Sequence, residues 1–224
     1  MPIILFDIDG TLVRTGGAGK AAMEDALRHA FGIAEINDTV PYSGRTDRAI
    51  GRDLLAVHGI HPTPANASKL QDAYLAHLPP SLAKHGGKVC PGIGELLAAL
   101  QPRTDAVLGL LTGNVRAGAR TKLGHFGLWD YFACGGFGDD HFDRDDVARM
   151  ALAEVRSHVG RDVDPADVWV IGDTPLDVRC ARAIGAKAIA VATGWHPFEE
   201  LAGCQPDFVF NNLSDHTGLL NVWT

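Results

Sequence analysis

The spacing of hydrophobic and polar residues changes twice along the chain. Residues 3–6 form an apolar run that predicts a short buried strand, and Gly10 marks a turn soon after it. From residue 91 onward, apolar runs alternate with stretches of helical spacing, which is typical of βαβ units and a parallel sheet. The predicted strands lie at 107–111, 131–134, 168–171, 188–191 and 207–210, and the predicted helices at 92–100, 115–126, 146–158, 175–184 and 213–222.

Between these two parts of the chain, the pattern predicts helices and no strand. Glycine pairs at 16–17 and 86–87 flank this segment and are typical of hinges. We therefore expect a core domain formed by residues 1–15 and 88–224, with an all-helical domain inserted at 16–87. Apolar residues recur at helical spacing over 18–31, 46–57 and 65–78.

Acidic residues stand where two of the predicted strands end. Asp7 and Asp9 follow the first strand two residues apart, so they project to the same side of an extended backbone. Asp173 follows the strand predicted at 168–171. Open α/β sheets bind ligands at the carboxyl ends of their strands, and paired acids there repel each other unless a cation or a shared proton intervenes. This pattern favours a magnesium-dependent site in which one carboxylate attacks and the other transfers a proton.

Two further segments allow both a functional and a structural interpretation. The Thr-Gly-Asn sequence at 112–114 precedes a predicted helix, where a hydroxyl and free amides form an anion site or simply cap the helix. Asp177 lies three residues after Thr174, which is the spacing of a capping box, and Pro175 takes the first helical position. Asp177 is therefore either a helix cap or a further acid near the cation.

Composition excludes several functional classes. The 224 residues carry a net charge of −7 without any block of Lys or Arg, which argues against a nucleic-acid surface. No apolar stretch reaches the roughly 18 residues of a membrane span. The four cysteines form neither a CxxC pair nor a zinc pattern, and the sequence opens directly on a strand without a leader. We expect a cytoplasmic protein with reduced thiols.

Three motifs in chain order carry a family resemblance. DxDGT spans 7–11, TGN spans 112–114 and GDxxxD spans 172–177, each at a strand end. With a basic residue between the last two, they resemble the haloacid dehalogenase superfamily of phosphohydrolases. The helical insert is similar to the type 1 cap of phosphoglycolate phosphatases and β-phosphoglucomutases. The resemblance implies a doubly wound, Rossmann-like parallel sheet core with a helical cap that closes over the active site.

The resemblance also implies a role for each strand-end residue. Asp7 would be the nucleophile that forms an aspartyl-phosphate, and Asp9 would be the acid and base. Mg²⁺ would be held by Asp7, the backbone carbonyl of Asp9 and Asp173, with Asp177 in or next to its coordination shell. The phosphoryl oxygens would be held by Thr112 and by the amides of Gly113 and Asn114.

The basic residue departs from the family pattern. The family usually places a lysine before the helix that precedes GDxxxD, and here Arg144 holds that place. Lys122, on the helix after TGN, is the alternative, although its position predicts a solvated side chain. In the cap, Arg45 either contacts a substrate carboxylate or phosphate, or is a surface charge beside a helix cap at Thr46. Trp195 follows a strand-end Thr-Gly and is a candidate for the rim of the site.

The function implied is Mg²⁺-dependent hydrolysis of a small phosphate monoester through an aspartyl-phosphate. A phosphomutase of the β-phosphoglucomutase type stays open, as does a catalytically impaired binding module, which Arg144 in place of lysine favours. A dehalogenase would need neither Asp9 nor a metal, and no cap lysine is singled out for the Schiff base of a phosphonatase. The expected partner is a small phosphorylated metabolite, not nucleic acid or a membrane. Neither that metabolite nor the oligomeric state can be read from the sequence.

Overall fold

A six-stranded parallel sheet forms the centre of the computed structural model, which describes residues 1–223. Its strands are β1 (Ile3–Phe6), β4 (Val107–Leu111), β5 (Cys134–Gly136), β6 (Val168–Gly172), β7 (Lys187–Val191) and β8 (Phe208–Phe210). They lie in the order β5-β4-β1-β6-β7-β8, and each neighbouring pair is parallel. The α/β fold class predicted from the sequence is therefore confirmed.

Helices cover both faces of this sheet and form the insert. The helices of the insert are α1 (Ala18–Phe31), α2 (Asp47–Val57) and α3 (Pro64–His85). The remaining helices are α4 (Ile93–Leu100), α5 (Arg116–His125), α6 (Arg144–Val159), α7 (Pro175–Ala183), α8 (Phe198–Gly203) and α9 (Thr217–Val222). Within residues 1–223, no helix combines the length and the apolar character that crossing a membrane would need.

Alternating residues of β1 supply the two faces of the core. Ile4 and Phe6 pack into the apolar cluster that includes α4 and α5, whereas Ile3 and Leu5 pack into the cluster that includes α6 and α7. All four side chains are buried. Burial on both faces explains why β1 is a continuous apolar run and not an alternating one.

The insert has its own apolar cluster, formed by residues of α1, α2 and α3. The sequence predicted a helix end at residue 78, but α3 continues through Pro79 and Pro80 to His85. Leu78 and Leu82 are buried in the cluster shared with α1, and this packing offsets the backbone hydrogen bonds that the prolines remove. The division of the chain at residues 16 and 87 stays a prediction.

Several other boundaries differ from those predicted. The chain enters and leaves the insert through a two-residue antiparallel pair, β2 (Val13–Arg14) and β3 (Lys88–Val89), which is too short to leave a periodic signal. The strand predicted at 131–134 is a 3₁₀ turn at Trp129–Tyr131 followed by β5. Helix α6 begins at Arg144, two residues before its predicted start, because Asp143 caps it by accepting from the amide of Asp145.

The order of strands reverses direction at β1, which lies between β4 and β6. In open α/β sheets this reversal opens a crevice at the carboxyl ends of the strands, where ligands bind. The segments that follow β1, β4 and β6 carry the three sequence motifs and meet at this crevice.

Candidate active site

Three carboxylates converge at the carboxyl end of the sheet. Asp7 follows β1, Asp173 and Asp177 follow β6, and one oxygen from each lies within 4.8 Å of the others. Burial raises the pKa of Asp7 to about 6, with the charges of Asp177 and Asp9 adding to it and that of Arg144 opposing it. Burial and the charges of Asp177 and Asp7 raise the pKa of Asp173 well above its ordinary value.

The oxygen ligands of this carboxylate cluster suit a hard divalent cation. Carboxylates held this close repel one another, and a divalent cation would relieve the repulsion because its charge is opposite to theirs. Two glycines leave room for Asp173: a Cβ at Gly10 would lie 2.3 Å from its Oδ2, and a Cβ at Gly194 only 1.6 Å from it. The hydroxyl of Thr11 donates to Oδ1 of Asp173 at 3.0 Å and fixes the orientation of the carboxylate.

Arg144 supplies a buried positive charge to this cluster from the first turn of α6. Its Nη2 lies 2.8 Å from Oδ1 of Asp7 and 2.5 Å from Oδ1 of Asp177. Its Nη1 donates to the carbonyl of Gly44 in the insert at 3.2 Å. The residue that the sequence aligned with the family lysine therefore reaches the carboxylate predicted to be the nucleophile.

Asp177 belongs both to the carboxylate cluster and to a helix cap. Its Oδ2 accepts from the amide of Thr174 at 2.9 Å, which is one bond of the capping box of α7, and also accepts from the hydroxyl of Thr174 at 2.8 Å. Its Oδ1 faces Arg144. The interpretation of Asp177 as a helix cap is therefore confirmed for Oδ2, and a role for this residue next to a cation stays a prediction.

Lys122 is buried, so the expectation that it is solvated was wrong. Its Nζ lies 2.6 Å from Oδ2 of Asp9 and donates to Oδ1 of Asn114 at 2.6 Å. Lys122 lies on the face of α5 turned toward the insert, where a Cβ on Gly19 of α1 would lie 3.3 Å from Nζ. The side chain of Asp9 is 42% exposed, and its Oδ1 accepts no hydrogen bond from residues 1–223.

The Thr-Gly-Asn segment after β4 connects Asp9 to the sheet. The side-chain amide of Asn114 donates to Oδ2 of Asp9 and to Oγ1 of Thr112, both at 2.8 Å. The backbone amide of Asn114 donates to the same Oγ1 at 3.3 Å. The backbone amides of Gly113 and Asn114 were predicted to hold phosphoryl oxygens. The amide of Asn114 is occupied by Thr112, whereas the amide of Gly113 donates no hydrogen bond within the described part of the chain.

The insert touches the core at the same segment. The amide of Asp47 donates to the carbonyl of Gly113 at 2.7 Å, and Oδ2 of Asp47 accepts from the amide of Val115 at 2.9 Å. A Cβ on Gly113 would lie 2.1 Å from the carbonyl of Arg45, so only glycine allows this approach. Burial raises the pKa of Asp47 to about 6, although the charge of Lys122 lowers it. No hydrophobic or polar pattern along the chain predicts this contact.

A cavity of about 770 Å³ lies between the insert and the carboxyl end of the sheet. Arg45 lines this cavity, but its Nη2 pairs with Oδ2 of Asp53 at 2.6 Å and its Nη1 donates to the carbonyl of Pro41. Trp195 lines the rim with 91% of its surface exposed. Thr112 and Asp177 are buried beside the cavity, while the other site residues predicted from the sequence line it: Asp7, Asp9, Arg45, Gly113, Asn114, Arg144 and Asp173.

The fold places acidic residues at the reversal point of a parallel sheet, beneath a helical insert. Residues 4–191 match the family model described as haloacid dehalogenase-like hydrolase. The chain therefore belongs to this family of enzymes, as the motifs predicted.

Individual relatives agree with this assignment. The chain is 28% identical to "Probable phosphatase IndB" of Dickeya dadantii, with 97% of this chain and 92% of the relative covered. It is 29% identical to the phosphoglycolate phosphatase of Synechococcus elongatus, with 96% and 95% covered. The crystal structure of CbbY from Rhodobacter sphaeroides in complex with phosphate has the same fold, with a TM-score of 0.74, 22% identity and 96% of each chain covered.

Proposed function

We propose that this protein hydrolyses a small phosphate monoester through an aspartyl-phosphate on Asp7. The observation that carries the proposal is the buried cluster of Asp7, Asp173 and Asp177, with Arg144 against Asp7 and the free amide of Gly113 nearby. Relatives named as phosphatases over nearly the whole chain support the same reaction class.

Asp7 is the group suited to attack phosphorus. Its Oδ1 faces Arg144, while its Oδ2 accepts no hydrogen bond within residues 1–223 and is free to attack. In the first step, Oδ2 forms a bond to phosphorus as the bond to the leaving oxygen breaks, and Asp9 donates a proton to that oxygen. The products of this step are the alcohol and the aspartyl-phosphate.

Asp9 then serves as the base for the second step. It removes a proton from water as the water oxygen attacks phosphorus, and the bond between phosphorus and Asp7 breaks to release phosphate. The structure suits this exchange because Lys122 and Asn114 hold Oδ2 of Asp9, which leaves Oδ1 for the proton. The charge of Lys122 stabilises the carboxylate that remains after each transfer to the leaving oxygen.

Charge on the phosphoryl oxygens needs fixed donors on several sides. Asp7, Asp173 and Asp177, with the backbone carbonyl of Asp9, would hold Mg²⁺, which would neutralise phosphoryl charge when bound. The amide of Gly113 and the hydroxyl of Thr112 would bind oxygens on the opposite side. Arg144 holds Asp7 in position through the same guanidinium that contacts Asp177.

The Asp7→Asn variant tests the nucleophile. An amide cannot form the acyl phosphate, so we expect the release of free phosphate from 4-nitrophenyl phosphate to fall by at least about 10³-fold. Circular dichroism and the thermal midpoint should show a folded protein. Asp162→Asn is the matched control because its side chain is 90% exposed, and it should retain full activity.

Free phosphate is the informative product because a phosphomutase would return the phosphoryl group to the substrate. Phosphate release by Asp7→Asn at the wild-type rate would contradict the assignment of the nucleophile. Wild-type protein that binds phosphate esters without turnover would instead favour the binding-module alternative.

A further inference from the structure

The cavity under the insert restricts the chemistry of the leaving group, provided that the proposed phosphatase function is correct. The phosphoryl group would occupy the end of the cavity at Asp7, so the remaining walls face the alcohol that leaves. A volume of about 770 Å³ is much larger than a two-carbon phosphate ester needs and is within the usual range for ligands of drug-like size.

Four of the five Lys and Arg side chains that line this cavity contact an acidic residue of the protein. Arg45 shares the carboxylate of Asp53 with Arg52, and Lys20 pairs with Asp38 and Glu24. The acidic partners compete with a substrate carboxylate for these cations, which weakens the net attraction.

The other lining cations also have partners. Lys122 contacts Asp9, and Arg144 contacts Asp7 and Asp177. Arg14 donates to the carbonyl of Gly194 at 2.8 Å and is exposed, so water and salt screen its charge.

Three acids and one lysine surround Tyr42, and Nζ of Lys20 lies 5.8 Å from the centroid of its ring. Burial raises the pKa of the Tyr42 phenol above its ordinary value, and the charges of Glu24, Asp38 and Asp47 raise it further. The hydroxyl of Tyr42 is buried and has no hydrogen-bond partner within residues 1–223. This part of the cavity therefore offers one neutral donor, and the acids beside it oppose the approach of a second anionic group.

The wall next to Tyr42 is apolar and aromatic. Tyr42 and Tyr74 present rings to the cavity, and Trp195 at the rim exposes a third aromatic ring to solvent. Aliphatic side chains that are almost fully buried complete this wall: Met23, Val40 and Ile50. Flat apolar groups bind such walls by burying surface and by stacking on the rings.

We propose that the substrate is the phosphate monoester of an uncharged aromatic alcohol, bound between the aromatic wall of the insert and Trp195. The phosphoglycolate named for several relatives carries a carboxylate, for which the lining of this cavity has no unpaired buried cation.

Benzyl phosphate and phosphoglycolate form a matched pair for this inference, because each is the ester of a primary alcohol and they differ in a phenyl group against a carboxylate. We expect kcat/KM for benzyl phosphate to exceed that for phosphoglycolate by at least roughly tenfold, the discrimination that an apolar pocket supplies. A preference for phosphoglycolate would overturn this inference while leaving the phosphatase function intact. Phosphate released from neither ester, nor from 4-nitrophenyl phosphate, would overturn both.

The Asp53→Asn variant tests the cause of the preference. It leaves Arg45 in place but removes the carboxylate that pairs with Arg45 and with Arg52. We expect kcat/KM for phosphoglycolate to rise roughly tenfold and that for benzyl phosphate to stay unchanged. Asp25→Asn is the control, because Asp25 pairs with Arg28 on the same insert and does not line the cavity. An unchanged kcat/KM for phosphoglycolate in Asp53→Asn would contradict the argument from charge neutralisation.

Discussion

At the scale of single residues, the two acids predicted to perform the chemistry form ion pairs with different basic side chains. Asp7 faces Arg144, which is almost fully buried and also contacts Asp177. Asp9 faces Lys122, whose ammonium group is held by Asn114 as well. A buried ammonium group is costly unless it is paired and hydrogen-bonded, so the position of Lys122 depends on these partners.

Replacing Lys122 tests whether it stabilises the charge on Asp9. Lys122→Met keeps the length of the side chain and removes the charge. We expect kcat to fall by roughly 10²-fold, the usual contribution of a single fixed charge or donor to a transition state, while KM changes little. Initial rates over a range of 4-nitrophenyl phosphate concentrations separate the two constants.

Lys69→Met is the control for this variant, because Lys69 is an exposed lysine of α3 outside the cavity. Lys122→Arg should recover part of the lost kcat, since it restores a positive charge near Asp9. A folded Lys122→Met enzyme with the wild-type kcat would contradict the role given to Lys122.

At the scale of helices and strands, the residues at strand ends were predictable and those on the face between insert and core were not. Asp7 and Asp173 follow apolar runs that are visible in the sequence, and parallel strands bring such ends together. Lys122 lies within α5, and its burial depends on α1 packing above it, which no local pattern reveals. The contact of Asp47 with Val115 likewise depends on the packing of the insert against the core, which no local pattern reveals.

The loops after β1 and β7 contribute space as well as side chains. Gly10 adopts φ +89°, a conformation that other residues rarely adopt, and its turn brings the chain back along β2. The backbone of Gly194 does not adopt a positive φ. Glycine is needed there because the carboxylate of Asp173 occupies the space that a Cβ would fill.

The Gly194→Ala variant should therefore damage the site without damaging the fold. The added methyl group would lie 1.6 Å from Oδ2 of Asp173, so the carboxylate or the loop must move. We expect a loss of activity of roughly tenfold or more, since misplacement by about 1 Å can cost up to 10²-fold, together with a higher Mg²⁺ concentration for half-maximal rate.

Gly94→Ala is the matched control for this loop variant, because a Cβ at Gly94 in α4 meets no atom within 4 Å. It should retain full activity and gain slightly in stability. Wild-type Mg²⁺ dependence in Gly194→Ala would mean that Asp173 does not need its present position.

At the scale of the whole molecule, the site concentrates negative charge at the carboxyl end of the sheet. Among residues 1–223, the cations that pair with the carboxylates of Asp7, Asp9 and Asp177 are Lys122 and Arg144, and Asp173 lies beside them in the cluster. A divalent cation would balance the remaining charge. The ion would therefore stabilise the folded protein as well as support the reaction, because the unfolded chain has no such cluster.

The stabilisation by Mg²⁺ should depend on pH in a defined direction. Without a cation, the pKa of Asp7 is about 6 in the folded protein and about 3.8 when unfolded. The folded state then binds more protons between these values, so this carboxyl lowers stability as pH rises through that range. Bound Mg²⁺ favours the ionised form of Asp7, so the loss of stability with rising pH is removed. We therefore expect a larger rise in thermal midpoint on adding Mg²⁺ at pH 7.5 than at pH 5.

The size of the effect follows from mass action. Mg²⁺ at about 100 times its Kd adds about 2.7 kcal/mol, which corresponds to roughly 5–10 °C for a chain of this length. Asp173→Asn should lose most of this rise at pH 7.5, whereas Asp162→Asn, on the surface, should keep it. An equal rise at both pH values would contradict the argument, because an ion bound away from Asp7 would not compete with the proton on that carboxyl.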